Sequence, residues 1–128
     1  MDVVVDSSVW IAYLDGEVIQ ELEYATVTAE LVLSPLVIAE VLSGILTPHT
    51  RATFGELIQD YPMHNTPLSH WMDVGDLRRT LAAKGINVTI PDAHVAQCAL
   101  DRNATLLARD DIFKQIATQT PLRLTYLR

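Results

Sequence analysis

The sequence predicts a three-layer α/β/α domain with a central, mainly parallel sheet. Short apolar runs alternate with helical patterns along the whole chain. Strands that are separated by helices are joined by crossover connections, which make the sheet parallel and place helices on both of its faces. The chain has 128 residues and no recognisable linker, repeat or low-complexity segment. Residues 1–128 are therefore predicted to form a single domain.

Five short segments have the composition of strands. They are apolar or alternating runs bounded by residues that favour turns and helix caps. The segments lie at 2–5, 30–34, 61–66, 104–108 and 121–128. Pro62 lies within the third segment, and proline suits only the edge of a sheet because it cannot donate a ladder hydrogen bond.

Seven helices are expected between these strands. They cover 7–16, 17–25, 34–47, 49–60, 69–85, 90–103 and 110–119. The expected N-caps are serines, namely Ser7 or Ser8, Ser34 and Ser69. Gly16 and Gly85 are the expected stops, and Pro35 suits the first helical position of its helix.

Composition excludes several classes of protein. A hydrophobic content of 49% is too high for a disordered chain, and no apolar run reaches the roughly 20 residues that span a bilayer. The N-terminus has no basic region typical of a signal peptide, and the single Cys98 fits a reducing compartment, so a cytoplasmic location is expected. The net charge of −7 gives no general attraction for nucleic acid.

Two acidic positions follow predicted strands directly. Asp6 ends the first strand, whereas Asp110 and its neighbour Asp111 follow the strand at 104–108 with only Arg109 between. In open parallel sheets, ligands bind beyond the carboxyl ends of the strands. Both acidic positions are predicted to lie at that edge.

Two further acids interrupt apolar helix faces. At about 100° per residue, Asp92 lies in the middle of the apolar face of the helix at 90–103. Glu40 lies in a narrow gap of an otherwise apolar helix, beside Ser43 and Gly44. The solvent face of the helix at 90–103 is predicted to carry His94, Gln97, Asp101 and Arg102. A buried ionised carboxylate is costly unless something pairs with it, so Asp92 needs a partner.

Each of these acids has a simple structural explanation when taken alone. An aspartate commonly caps a helix, and a carboxylate in a first helical turn gains roughly 0.3–1 kcal/mol from the helix dipole. Taken together, the four acids favour a functional site, because converging carboxylates repel one another severely. A hard divalent cation such as Mg²⁺, held by carboxylates, water and a substrate phosphate, would resolve that conflict.

The same residues resemble PIN-domain proteins, and most closely the ribonuclease toxins of VapBC toxin–antitoxin pairs. The similarity is distributed over "VVVDSSVWIAYL", "SPLVIAEVLSG" and "IPDAHVAQCALDRNATLLARDDIF". The acids of the family match Asp6, Glu40, Asp92 and Asp110 in order. The sequence departs from the family at Ile112, where members often have a further acid, and Asp111 lies beside that position instead.

The resemblance implies an endoribonuclease that depends on Mg²⁺ or Mn²⁺ and leaves a 5′-phosphate and a 3′-hydroxyl. Asp6, Asp92 and Asp110 would hold metal, directly or through water, and Glu40 would either ligate metal or orient the attacking water. Asp111 is a possible auxiliary ligand. The number of ions stays open, and so does a PIN fold that binds RNA or protein without catalysis.

Residues outside the acidic set receive simpler assignments. The resemblance implies a supporting role for Ser7, and Arg109 is a candidate for contact with substrate phosphate. Trp71 has no stacking partner that the sequence reveals. The histidines have no spacing typical of zinc ligands, and surface or loop positions are expected for His49, His64, His70 and His94.

The expected partners are RNA, a cognate antitoxin and a second copy of the chain. The first two helices carry more apolar side chains than a small domain is expected to bury, and exposed apolar patches usually mark interfaces. These side chains are Val9, Trp10, Tyr13, Val18, Ile19 and Leu22. The resemblance implies homodimerisation and a groove for an amphipathic antitoxin segment that places an arginine near Asp6 and Asp92.

Overall fold

The computed structural model describes residues 1–44 and 46–128, which contain one four-stranded sheet. Its strands are β1 (Val3–Val5), β2 (Leu31–Val32), β3 (Thr105–Ala108) and β4 (Arg123–Tyr126). The spatial order is β2-β1-β3-β4, and every neighbouring pair is parallel. The register places Val3 opposite both Leu31 and Thr105.

Seven α-helices of the described residues connect and flank these strands. They are α1 (Ser7–Leu14), α2 (Gln20–Val27), α3 (Pro35–Ser43), α4 (Pro48–Leu57), α5 (Leu68–Ala82), α6 (Ile90–Arg102) and α7 (Ile112–Gln119). The alternation of parallel strands and helices confirms the predicted three-layer α/β/α architecture. In the described part of the chain, no helix is long and apolar enough to cross a membrane.

Several elements are shorter in the structure than the sequence predicts. The predicted strand at 61–66 is reduced to one isolated parallel bridge between Leu33 and Met63, next to Pro62. The predicted helix at 34–47 starts as expected, with the Ser34 hydroxyl capping the Val37 amide, but α3 ends at Ser43. Position 45 of that predicted helix lies outside the described residues.

Two helices begin with a cap other than the expected serine. The Asp6 carboxylate, rather than Ser7 or Ser8, caps α1 by accepting from the Ser8 amide at 3.4 Å. Helix α5 begins after Pro67 without a side-chain cap, so Ser69 lies inside the helix. Asp6 can cap because it has extended backbone angles at the end of β1.

The core buries most of the apolar side chains that were expected to exceed its capacity. Trp10 is almost completely buried and packs edge-on against Phe54, with ring centroids 5.4 Å apart. Val9, Ile19 and Leu22 are also buried. Of that predicted excess, only Val18 is strongly exposed, because the loop between α1 and α2 presents it to solvent. Four of the six side chains expected to be in excess are therefore core residues, and the apolar surface of this region is carried instead by Val18 and by residues of α2.

Candidate functional site

Asp6 is the most buried of the four predicted acids. It follows β1 directly, and its carboxylate accepts a 2.6 Å hydrogen bond from the Ser8 hydroxyl. Burial raises the pKa of Asp6, the hydrogen bonds from Ser8 and Ser7 oppose that rise, and the negative charge of Asp110 adds to it. Because Asp6 follows β1 directly and also caps α1, the local sequence determines where this carboxylate lies.

Glu40 lies half-buried on α3, within electrostatic reach of two other acids. Partial burial raises the pKa of Glu40, and the charges of Asp6 and Asp92 raise it further. The nearby Ser7 hydroxyl works in the opposite direction and lowers the pKa of Glu40. The supporting role of Ser7 on α1 stays a prediction.

Asp92 lies in the first turn of α6, where local capping fixes its backbone. Its amide donates to the Thr89 hydroxyl at 3.3 Å, and Thr89 is the N-cap of the helix. Burial raises the pKa of Asp92, hydrogen bonding with Thr89 lowers it, and the charges of Asp6 and Asp110 raise it again. Asp92 thus contributes to the same negative field from a third element.

The two adjacent aspartates after β3 point to different neighbours. The charge of Asp110 acts on both Asp6 and Asp92, and its carboxylate accepts from the Ile112 amide at 3.2 Å. Asp111 instead accepts from the Tyr126 hydroxyl at 2.7 Å and lies 3.8 Å from the Lys114 amine. The structure therefore brings Asp110 rather than Asp111 into the acidic group.

We call Asp6, Glu40, Asp92 and Asp110 the acidic cluster. Its members come from four separate segments at the carboxyl edge of the sheet, and three of them have a raised pKa. Carboxylates held together in this way repel one another, and a bound divalent cation reduces that repulsion. Oxygen donors suit hard ions such as Mg²⁺ or Mn²⁺. Carboxylate oxygens are the chemical kind of donor that such an ion takes, and the assignment of the four residues as ligands stays a prediction.

Comparison with known proteins identifies the family. The sequence profile of the PIN domain matches residues 3–119, which is nearly the whole chain. The chain belongs to the PIN-domain family. The search of curated proteins found none that matches this chain by sequence.

Solved structures of similar shape support the same fold. The chain is similar to a chain of VapBC2 from Rickettsia felis bound to promoter DNA, with 18% identity, full coverage of both chains and a TM-score of 0.80. It is also similar to DNA-bound VapBC from Salmonella typhimurium, with 19% identity, 98% coverage of both chains and a TM-score of 0.83. VapBC-5 from Mycobacterium tuberculosis gives 22% identity, coverage of 99% of this chain and 100% of the other, and a TM-score of 0.70.

Arg109 of this PIN domain is already engaged by another residue. Its guanidinium forms a two-pronged ion pair with Glu17, one contact being 3.2 Å from Nη1 to Oε1. The hydrogen bond to this guanidinium lowers the pKa of Glu17. Arg109 lines a surface pocket beside Val18 and Leu127 that contains no member of the acidic cluster. Contact with a substrate phosphate would therefore require the pair with Glu17 to open.

Three of the four histidines occupy positions that the sequence did not predict. His94 is 0% exposed, His70 2% and His64 7%, whereas His49 is exposed as expected. The prediction of surface or loop positions was wrong for His70 and His94, which are buried on helices, and the solvent-facing assignment of His94 was wrong as well. His64 lies in a loop as predicted, but it is buried there. Helix α6 is covered on more than one side, so a single apolar stripe does not describe its burial.

The buried histidines form a continuous hydrogen-bonded set with two residues that flank them. We call Ser34, His94, His70 and Asp101 the histidine chain. The Ser34 hydroxyl is 2.6 Å from His94 Nε2, His94 Nδ1 is 2.7 Å from His70 Nε2, and His70 Nδ1 is 2.7 Å from the Asp101 carboxylate. Trp71 stacks on His94 with ring centroids 4.7 Å apart, which supplies the stacking partner that the sequence did not reveal.

The burial of His64 gives a testable pH dependence. Burial lowers the pKa of His64, although the nearby Asp101 opposes the shift. Below about pH 6.5, residue 64 of the unfolded chain therefore binds a proton that His64 of the folded protein does not. The free energy of unfolding consequently decreases as the pH falls further. We expect His64→Gln to flatten this decline by at most about 1.4 kcal/mol per pH unit.

Urea unfolding at several pH values measures this effect. His49→Gln is the matched control, because His49 is exposed, and its profile should follow that of the unaltered protein. The acidic cluster changes the pH dependence of stability in the opposite direction, since raised carboxyl pKa values favour the folded state on acidification. This effect is the same in both variants and does not alter their comparison. A His64→Gln profile parallel to the control would contradict the assignment.

Proposed function

We propose that this PIN domain is a divalent-metal-dependent endoribonuclease and the toxin of a type II toxin–antitoxin pair. The observation that carries the proposal is the mutual electrostatic influence of Asp6, Glu40, Asp92 and Asp110. Bringing the four together does not stabilise the fold, since each carboxylate raises the cost of ionising the next. The VapBC complexes with the same fold favour the toxin assignment over other PIN nucleases.

The residues of the cluster have different roles in the proposed hydrolysis. Asp6, Asp92 and Asp110 would hold Mg²⁺ or Mn²⁺, which when bound supplies a nucleophilic hydroxide and neutralises charge on the scissile phosphate. Glu40 would hold the ion or orient the attacking water from the α3 side of the cluster. The Ser8 and Thr89 contacts hold Asp6 and Asp92 in place before the substrate arrives, so little reorganisation is needed during reaction.

Cleavage of a mixed RNA substrate with and without EDTA tests the proposal. We expect cleavage in millimolar Mg²⁺ or Mn²⁺, loss of cleavage in EDTA, and products with 5′-phosphate and 3′-hydroxyl ends. Cleavage that persists in EDTA would contradict a metal-dependent mechanism. Absence of cleavage with either ion, by a folded protein free of antitoxin, would favour a PIN fold that binds without turnover.

Metal binding should also stabilise the fold. A cation that binds only the folded protein raises stability by mass action, by about 2.7 kcal/mol at a hundredfold excess over its dissociation constant. We expect millimolar Mn²⁺ to raise the melting temperature and Asp92→Asn to remove most of that response. Asp111→Asn is the matched control and should retain it, because Asp111 bonds to Tyr126 outside the cluster. Equal responses in the two variants would contradict the proposed ligand set.

We further propose two protein partners, a cognate antitoxin and a second copy of the chain. An acidic cluster is complementary to an arginine, whose planar fork pairs with carboxylates bidentately. Apolar side chains exposed on α2, among them Tyr24 and Val27, provide surface for an interface. Light scattering at micromolar concentration should show a dimer, and a monomer there would contradict it. Tight antitoxin binding that leaves cleavage unchanged would contradict an arginine at the cluster.

A further inference from the structure

We propose that the histidine chain positions Asp92 and Glu40 relative to each other, so that His94 is a positioning residue for the metal site. The proposal rests on the proposed function. The contact between Ser34 and His94 joins the two helices that carry these acids. His94 is two residues after Asp92 on α6, and Ser34 is the N-cap of the helix that carries Glu40.

The direction of every hydrogen bond in the chain follows from one carboxylate. Partial burial disfavours ionised Asp101, but hydrogen bonds from His70, Gln97 and His64 outweigh it and lower the pKa of Asp101. An ionised carboxylate only accepts hydrogen bonds, so His70 Nδ1 must donate to it. In a neutral His70 ring, Nε2 is then an acceptor.

The remaining protons are fixed in turn. His70 Nε2 accepts from His94 Nδ1, which leaves His94 Nε2 to accept from the Ser34 hydroxyl. Both ring nitrogens of the buried His94 are thereby paired within the chain. The Ser34 oxygen accepts in turn from the Val37 amide at 3.3 Å, in the first turn of α3.

This arrangement connects three helices through a buried and directional set of contacts. Asp101 and His94 belong to α6, His70 belongs to α5, and Ser34 precedes α3. A shift of α3 along α6 would break the contact between Ser34 and His94 and leave two buried polar groups unpaired. Leaving a buried group unpaired costs about 1–3 kcal/mol, so the chain resists the motion that would separate Glu40 from Asp92.

A metal ion within the histidines is the competing explanation. Ligand atoms of His64, His70 and Cys98 lie within 4.8 Å of one another. Both ring nitrogens of His70 already have hydrogen-bond partners, and the Arg102 guanidinium is 3.5 Å from His64 Nδ1. Burial raises the pKa of Cys98 to about 12, which keeps its thiol protonated. The hydrogen-bonded chain explains these residues without an ion, and a guanidinium beside the group opposes a cation.

Mn²⁺ titration calorimetry on folded variants tests the positioning role. His94→Phe keeps a flat ring but removes both hydrogen bonds, and we expect it to weaken Mn²⁺ binding about 10- to 100-fold, the range typical of lost outer-shell partners. His94→Gln offers one donor and one acceptor and should restore most of the affinity. Cys98→Ala is the matched control, because it removes a buried atom 3.5 Å from the His94 ring without interrupting the chain.

The outcomes separate the two proposals. Affinity within about twofold of the unaltered protein in His94→Phe would overturn the positioning role alone, whereas no Mn²⁺ binding by the unaltered protein would overturn the metal-dependent function and the positioning role with it. Binding that is lost in Cys98→Ala but retained in His94→Phe would assign the ion to the histidines instead.

A second measurement needs no variant and no metal. The ¹⁵N shifts of the ring nitrogens in the unaltered protein report which nitrogen carries each proton. The chain requires the proton on Nδ1 for both His70 and His94 and on Nε2 for His64, which donates to Asp101 at 3.2 Å. A proton on His94 Nε2 would overturn the directional chain even if His94→Phe does not fold.

Discussion

Asp92→Asn is expected to reduce metal-dependent RNA cleavage by roughly a thousandfold or more. A bound metal supplies several kcal/mol of transition-state stabilisation, and about 1.4 kcal/mol corresponds to a factor of ten in rate. The substitution removes one negative charge from a cluster in which Asp6 and Asp110 act directly on Asp92. It keeps the size of the side chain and the Thr89 cap on the Asp92 amide, so the helix should still begin at the same residue.

Asp111→Asn provides the control for this loss of activity. It makes the same chemical change one residue from Asp110, but at a carboxylate that bonds to Tyr126 and lies near Lys114. We expect its cleavage rate, measured at saturating Mg²⁺, to remain within a few-fold of that of the unaltered protein. If Asp111→Asn and Asp92→Asn lose activity equally, the exclusion of Asp111 from the cluster is wrong.

Phe54→Ala is expected to cause a large loss of stability. Phe54 is 0% exposed, and its ring packs edge-on against Trp10. Truncating a buried phenylalanine costs about 3–5 kcal/mol, which is a large part of the 5–15 kcal/mol that typically stabilises a domain. Urea unfolding followed by circular dichroism measures the change in the free energy of unfolding.

Val27→Ala is the comparison for this experiment, since Val27 is 86% exposed on α2. Surface substitutions usually change stability by less than about 0.5 kcal/mol. A similar loss in both variants would mean that the α2 face is covered in solution, as a dimer interface would cover it. A loss below about 1 kcal/mol in Phe54→Ala would contradict the packing described for α4.

The acidic cluster was accessible from the sequence because topology alone places two of its members. Asp6 and Asp110 follow parallel strands that pair directly, so the strand order brings them to one edge of the sheet. Asp92 and Glu40 were identifiable because each interrupts an apolar helix face. The sequence favoured Asp110 over Asp111 only through the family resemblance, since the side-chain contact between Asp111 and Tyr126 leaves no trace in the sequence.

The buried histidines were missed because a helical wheel assumes one buried face. On α6, residues around most of the circumference are buried, including Ala93, Val95 and Cys98. Neighbouring helices cover the side that the wheel gave to solvent, and His70 on α5 pairs with His94 there. A pairing between residues 24 positions apart on different helices leaves no periodic trace in the sequence. The small and apolar residues on both sides of His94 were the one available indication.

The strand order also governs when the cluster can exist during protein synthesis. Strand β1 lies at the centre of the sheet and pairs with β3, so Val3 must wait for Thr105 to be made before it gains this neighbour. Contacts between residues so far apart in sequence form slowly and close large loops. Asp6 therefore has no access to Asp92 or Asp110 while the chain is still growing. Under the proposed function, nuclease activity would arise only once the chain is nearly complete, which would give a co-translated inhibitor time to bind.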